Sequence, residues 1–120
     1  MPGSHDPQLL KGVLSLLLLH LLAERESYGY ELVGRLHEIG LTEVLDGTVY
    51  PALSRLEREG RLVSRLLSSS AGPARKYYRP TSSGYAALTA GTAQWISLVE
   101  SVNRQLGRTV PTEPMEGDPS

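Results

Sequence analysis

The sequence predicts one small α+β domain, and three patterns along the chain predict that class. Apolar residues recur at helical spacing from Leu9 to Leu56, residues 62–80 read as two short strands around a turn, and helical spacing returns between Tyr85 and Leu106. The 120 residues suffice for one modest core, and the absence of cysteine removes disulfides, zinc–thiolate sites and thiol nucleophiles. We therefore expect three helices, a hairpin and a long last helix, in that order.

A first helix is predicted from Pro7 to about Glu24, with Asp6 as its N-cap. Leucine occupies most of its faces, so other elements must cover it on several sides, and a second copy of the chain is one source of that cover. The apolar run is short, contains Lys11 and His20, and lacks a small-residue cleavage site, so it does not predict a membrane or signal segment. We expect His20 to be a satisfied histidine of the core or of an interface.

Two shorter helices follow. Ser27 is predicted to cap a helix that runs from Tyr28 to about Glu38, with Gly40 ending it. After a short connector, a third helix is predicted up to Gly60. Its capping residues are expected among Asp46, Gly47 and Thr48, because Pro51 is tolerated only in a first turn. Two short helices joined in this way are typical of a helix-turn-helix.

The third helix has two contrasting faces. An apolar stripe is predicted to be buried, and it consists of Val49, Ala52, Leu53 and Leu56. The opposite face is polar and cationic, and it carries Pro51, Ser54, Arg55 and Arg58. One interpretation is a solvated helix with ion pairs from Arg55 to Glu59 and from Glu57 to Arg61; the other is a ligand-binding face. The helix alone does not decide between them.

The segment after Gly60 predicts a hairpin. Strands are expected from Leu62 to about Ser68 and over residues 74–80, joined by a turn at residues 69–73. A helix-turn-helix followed directly by a hairpin is the winged-helix topology, in which the last helix of the pair enters the DNA major groove. Tyr77 and Tyr78 point to opposite sides of their strand, so one is expected in the core. Arg75, Lys76 and Arg79 are expected beside the third helix on one shared cationic surface.

Charge is concentrated in this same region. Residues 46–80 carry seven Arg or Lys against three acidic residues, whereas the rest of the chain carries five against ten, and the net charge is −1. A cationic middle in an otherwise acidic chain is what a local phosphate-binding surface needs. A cluster without function remains the alternative on charge alone.

The apolar pattern of the last helix predicts that the chain associates with a second copy of itself. Thr81 is expected to cap it and Gly107 to end it, and an a/d seam recurs at steps of three and four through Tyr85, Leu88, Thr92, Trp95, Val99, Val102 and Leu106. Such a seam is expected to meet the first and last helices of a partner chain; a long helix lying on its own domain is the alternative. We therefore expect a DNA-binding domain over residues 1–80, a dimerisation helix over 81–107 and a disordered acidic tail over 108–120, with a disordered start over 1–5.

Three motifs resemble the PadR family of bacterial transcriptional regulators. They are Tyr28-Gly-Tyr-Glu-Leu32, Gly47-Thr-Val-Tyr-Pro-Ala-Leu-Ser-Arg-Leu-Glu57 with Gly60, and Arg75-Lys-Tyr-Tyr78 with Thr81 and Gly84. The resemblance covers roughly residues 10–106. It implies a winged-helix homodimer that binds double-stranded, palindromic operator DNA, usually as a repressor released by a small molecule or by a change in state. Pro80 and Arg61 depart from the family, which commonly has apolar residues there.

The residues expected to contact DNA lie on the third helix and the wing: Thr48, Tyr50, Pro51, Ser54, Arg55, Arg58, Arg75 and Lys76. Hydroxyl groups at the helix start suit phosphates or base edges, and the guanidinium groups suit phosphates or guanine. For Tyr50, a ring packed at the flank of the helix is the alternative.

The sequence therefore favours a cytoplasmic, dimeric transcriptional regulator without cofactor or metal. Trp95, in the middle of the seam, is a candidate for stacking a flat aromatic effector, although simple packing is the more common role of such a residue. The rival hypothesis is a winged-helix protein–protein interaction module that does not bind DNA. An enzyme is not predicted, because the chain has no phosphate-binding glycine loop, carboxylate pair or nucleophile–base arrangement.

Overall fold

The computed structural model describes residues 6–109 and has the predicted α+β class. Its elements are α1 (Pro7–Glu24), β1 (Ser27–Tyr28), α2 (Gly29–Glu38), α3 (Asp46–Arg58), β2 (Leu62–Ser69), β3 (Gly72–Pro80) and α4 (Ser82–Thr109). The chain divides into two compact units at Thr89 and Ala90. The expected disordered start and acidic tail lie outside the described residues, except for Arg108 and Thr109.

The helix α1 begins as predicted, because the Asp6 side chain accepts a hydrogen bond from the Gln8 backbone N–H at 2.8 Å. Its inner face is built from Leu14, Leu18, Leu19, Leu21 and Leu22, all buried. The prediction that His20 lies in the core is wrong, whereas a place in an interface stays a prediction. Its side chain is exposed and lies 3.3 Å from Glu24, one turn further along the same helix.

The helices α2 and α3 start differently from the prediction. Ser27 does not cap α2: its buried hydroxyl accepts a hydrogen bond from Arg35 at 3.0 Å, and Tyr28 is the N-cap without a side-chain bond. In α3 the N-cap is Leu45, also without a side-chain bond, so the predicted caps already lie inside the helix.

Pro51 therefore lies in the second turn of α3 rather than the first. Its ring removes the hydrogen bond that the Gly47 carbonyl would accept, and Gly47 is exposed, so water can take that place. Gly40 and Gly60 end the two helices as predicted, with φ of 103° and 79° that favour glycine.

The sheet has three antiparallel strands in the order β1-β3-β2. The short strand β1 was not predicted; it pairs Ser27 with Tyr78 and Tyr28 with Tyr77. The hairpin is tighter than expected, because only residues 70 and 71 lie between β2 and β3. Tyr78 belongs to the core, whereas Tyr77 is half-buried against Tyr28, with ring centroids 5.2 Å apart in an edge-to-face arrangement.

The core is one cluster to which α1, α2, α3, β2 and β3 all contribute. Leu18, Leu32, Leu36, Val49 and Leu53 are completely enclosed in it. The predicted inner stripe of α3 is confirmed, since all four of its residues are buried. This packing fixes which face of α3 points away from the domain.

The helix α4 begins at the predicted cap. Thr81 Oγ1 accepts a hydrogen bond from the Gly84 backbone N–H at 3.0 Å and donates one to the Gly60 carbonyl at 2.6 Å. A Cβ at position 84 would collide with the Arg61 carbonyl, so the glycine permits this close approach. Gly107 does not end the helix, which continues to Thr109, because its φ is not positive.

Candidate nucleic-acid interface

The predicted outer face of α3 is exposed. Packing of the opposite stripe into the core turns six of the predicted contact residues toward solvent: Thr48, Tyr50, Pro51, Ser54, Arg55 and Arg58. The face therefore presents hydroxyl groups near the helix start and guanidinium groups near its end. That distribution suits a helix that approaches DNA with its first two turns and places its arginines near phosphates.

The two arginines of this face differ in their contacts. Arg55 donates a hydrogen bond to the Ser15 hydroxyl of α1 at 2.7 Å and lies 4.0 Å from Glu59, as the sequence predicted. Arg58 is exposed, and its side chain makes no hydrogen bond or ion pair with any other residue between 6 and 109. Its guanidinium group is thus available to a ligand without breaking a bond within that range.

Tyr50 combines packing with exposure. Its ring lies on the backbone of Gly29, where a Cβ would overlap the ring carbons, and 43% of the residue stays exposed. The packed-tyrosine alternative is therefore part of its role, because Gly29 holds the ring at the start of α2. Packing of this kind fixes the direction in which the hydroxyl group can point.

The hairpin presents its cations on two faces rather than one. Side chains alternate along β3, and Lys76 lies toward α3, with Nζ 3.1 Å from the Glu57 carboxylate. Arg75 lies on the other face, where its guanidinium sits 4.6 Å from the centre of the Tyr28 ring and donates to the Tyr28 hydroxyl at 3.3 Å. The expected single surface is thus wrong in part: Lys76 joins the α3 patch, and Arg75 and Arg79 do not share its face.

Glu57 is a component of this site that the sequence did not predict. Its carboxylate accepts a hydrogen bond from the Ser64 hydroxyl at 2.6 Å and binds the Lys76 ammonium. These partners hold the pKa of Glu57 below its ordinary value, the Ser64 hydrogen bond most strongly, and the same carboxylate raises the pKa of Lys76. The predicted pair of Glu57 with Arg61 does not form; Arg61 lies 3.9 Å from Glu59 instead.

The opposite face of the hairpin carries an ion pair with Glu26, which lies just before β1. Arg65 donates two hydrogen bonds to the Glu26 carboxylate, both at 2.7 Å, a bidentate arrangement. These bonds hold the pKa of Glu26 below its ordinary value. Together with the Arg75–Tyr28 contact, the pair ties the hairpin to the segment that enters α2.

The predicted dimer seam is divided between the two units. Tyr85 and Leu88 belong to the first unit, where Tyr85 is exposed and Leu88 packs against the core. In the second unit Val99 is half-buried and the other seam residues are exposed: Thr92, Trp95, Val102 and Leu106. The predicted seam did not include Ile96 and Leu98, which are also about half exposed. The apolar surface of residues 90–109 is therefore broader than predicted.

Between residues 6 and 109, no three His, Cys, Asp or Glu side chains come close enough to hold a metal ion. None of the helices in that range is long and apolar enough to span a bilayer.

Comparison with known proteins identifies the family of the chain. Residues 18–90 match the model of the transcriptional regulator PadR-like family. The transcriptional regulator Rv3488 of Mycobacterium tuberculosis is 42% identical over 79 residues, which cover 66% of this chain and 72% of that protein.

Solved structures are similar over more of the chain. A PadR-like transcriptional regulator from Bacillus cereus has 39% identity and a TM-score of 0.74, with coverage of 82% of this chain and 96% of that one. A PadR family transcriptional regulator from Eggerthella lenta has 36% identity and a TM-score of 0.76, with coverage of 88% of each chain. The chain belongs to the PadR-like family of transcriptional regulators.

Proposed function

We propose that this regulator is a cytoplasmic homodimer that binds a palindromic operator, and that it acts as a repressor. The observation that carries the proposal is the exposed face of α3, with the unpartnered Arg58 at its end and Lys76 of the wing beside it. A winged helix with such a face is suited to reading the major groove while the wing contacts the neighbouring backbone.

The residues of the site take distinct roles in this proposal. Thr48 and Pro51 lie in the first two turns of α3 and Ser54 lies in the third, on the face that a recognition helix turns toward base edges. Arg58 binds a phosphate or the O6 and N7 atoms of guanine, and Arg55 does so after release from Ser15. The hydroxyl group of Tyr50 donates a hydrogen bond to the DNA backbone. Arg75 and Lys76 bind phosphates on opposite faces of the wing.

Self-association is proposed from the apolar side chains that the structure leaves exposed. Trp95, Ile96, Leu98, Val102 and Leu106 crowd one stretch of α4, and Leu9 of α1 is 73% exposed. These side chains can be removed from water only by packing against another apolar surface. A second copy of the chain offers an identical apolar surface. A dimer would place two α3 helices about 34 Å apart, one turn of DNA.

The test is selection of binding sites from a random duplex pool by the full chain, followed by measurement of the mass of the complex on the selected site. We expect enrichment of an inverted repeat whose half-sites are about one helical turn apart, with two protomers bound. A pool that shows no enrichment would favour the rival, a winged-helix module that binds protein partners. In that case neutralising Arg58 and Lys76 together would leave partner binding intact.

Relief by a small aromatic ligand is the remaining part of the proposal. Trp95 is the only tryptophan of the chain and is 43% exposed, so its fluorescence reports directly on a ligand stacked there. A planar aromatic compound that releases operator DNA should quench this fluorescence, and Trp95→Ala should weaken its binding about tenfold or more. Unchanged release of DNA by the ligand in the folded variant would place the effector elsewhere. The groove of about 350 Å³ beside Thr48, lined in part by Leu10, Lys11 and Val44, is then the first place to examine.

A further inference from the structure

One carboxylate joins the three elements that form the proposed DNA-binding surface. Glu57 lies in the last turn of α3, Ser64 lies on β2 and Lys76 lies on β3. The two oxygens of Glu57 divide these partners, because Oε2 accepts from the Ser64 hydroxyl and Oε1 lies 3.1 Å from the Lys76 ammonium. The ammonium also lies 5.5 Å from the centre of the ring of Tyr78, which is anchored in the core.

This arrangement is unexpected for a surface whose task is to attract phosphate. Glu57 repels DNA and occupies a cation that could otherwise bind a phosphate. By charge alone, its removal should tighten binding to every DNA sequence and steepen the salt dependence. The contacts themselves predict another effect, since a charge-assisted bond between helix and wing fixes their relative position.

We infer that Glu57 is a positioning residue that sets sequence specificity, by locking the wing to α3 through Lys76 and Ser64. The inference rests on the proposed DNA-binding function. Operator DNA requires helix and wing to meet the groove and the backbone in one register, whereas random DNA accepts many registers. The lock therefore favours operator binding over non-specific binding, even though its charge opposes both.

The test compares Glu57→Gln with Glu59→Gln. Both variants remove one negative charge from the same end of α3, but Glu59 forms ion pairs with Arg55 and Arg61 and makes no side-chain hydrogen bond or ion pair with β2 or β3 among the described residues. For each full-length variant, affinity is measured on the selected operator and on a scrambled duplex, at several salt concentrations. Thermal unfolding monitored by circular dichroism verifies that each variant is folded.

We expect Glu57→Gln to lower the ratio of operator to scrambled affinity about tenfold, the scale of one hydrogen bond to a charged group. Its affinity for the scrambled duplex should stay equal or rise. Glu59→Gln should raise the affinity for both duplexes by the same factor and leave the ratio of the two affinities unchanged. Lys76→Met should lower the ratio as well, and the double variant should lose little more than either single one, because the residues act together.

Each of three outcomes would overturn the proposed positioning role of Glu57. Equal ratios for Glu57→Gln and Glu59→Gln, with an operator-selective parent chain, would overturn the lock and leave the proposed function intact. Additive losses of this ratio in the double variant would also overturn it, since Lys76 would then affect specificity independently of Glu57. A parent chain that does not distinguish operator from scrambled DNA would overturn the proposed function and the lock together.

Discussion

Residues 6–89 and residues 90–109 differ in how far their large apolar side chains are buried. The first region encloses fifteen of them in one core, and Leu18, Leu32, Leu36 and Leu53 are fully buried. The second region is a stretch of helix on which Trp95, Ile96, Leu98, Val102 and Leu106 are all exposed by 42% or more. Most of the stability of a helix in a protein comes from packing of its apolar face rather than from helix propensity. The first region therefore has a core of its own, whereas the second presents mainly exposed apolar side chains, the surface proposed above for self-association.

The largest effect on stability is expected from a substitution in the core of the first region. Leu53→Ala deletes a fully buried side chain on the inner face of α3. We expect a loss of about 2–5 kcal/mol in the free energy of unfolding, through lost burial and a residual cavity. Denaturant titration should give this loss at every protein concentration. A loss below about 0.5 kcal/mol, the range of surface substitutions, would contradict the described core.

The same chemical change in the second region should behave differently. Leu106→Ala shortens a side chain that is 54% exposed. We expect the dimer dissociation constant to rise about tenfold, and the unfolding midpoint to fall only at protein concentrations where the parent chain is dimeric. Sedimentation equilibrium checks the first point. An unchanged molecular mass and an unchanged dissociation constant would favour the alternative of a long helix without a role in assembly.

The smallest effect concerns the carboxylates that hold the hairpin of the first region. The folded-state pKa values of Glu26 and Glu57 lie below the ordinary 4.5, because Arg65 and Ser64 respectively donate hydrogen bonds to them. A depressed pKa contributes stability above about pH 4.5, and that stability is lost as pH falls through the folded-state value.

Both carboxylates are near the surface, so we expect each to contribute only about 0.5–1 kcal/mol. Thermal unfolding between neutral pH and about pH 3 should show less acid destabilisation for Glu57→Gln than for the parent chain. A parent chain and a Glu57→Gln variant with identical pH dependence would show that the Ser64 and Lys76 contacts do not shift this group.

Much of the fold could be predicted because it follows from local patterns. Periodicity gave the helices and the hairpin, and alternation predicted that one residue of the Tyr77–Tyr78 pair would be buried. The strand β1 escaped prediction because two residues carry no period. The start of α3 was misjudged because Leu45 is not a residue type that caps helices by its side chain.

The candidate site was predictable in composition but not in arrangement. The outer face of α3 followed from the spacing of its apolar stripe. The placement of Arg75 and Lys76 on opposite faces follows from strand alternation and could have been predicted. Which of the two lies beside α3 depends on how the sheet packs on the helix, a tertiary feature, and was not predictable from the sequence. The bond from Lys76 to Glu57 was missed for the same reason, since the two residues are distant in sequence and on different elements.

Binding of operator DNA by the outer face of α3 is tested by the salt dependence of operator affinity for Arg58→Ala. Arg25→Ala is the matched control, because it removes the same charge from an exposed arginine outside α3 and the hairpin, paired with Glu31. We expect Arg58→Ala to weaken operator binding and to reduce the slope of log affinity against log salt by about 0.9 for each bound protomer, whereas Arg25→Ala leaves the slope unchanged. Identical slopes for the parent chain and Arg58→Ala would contradict binding by this face.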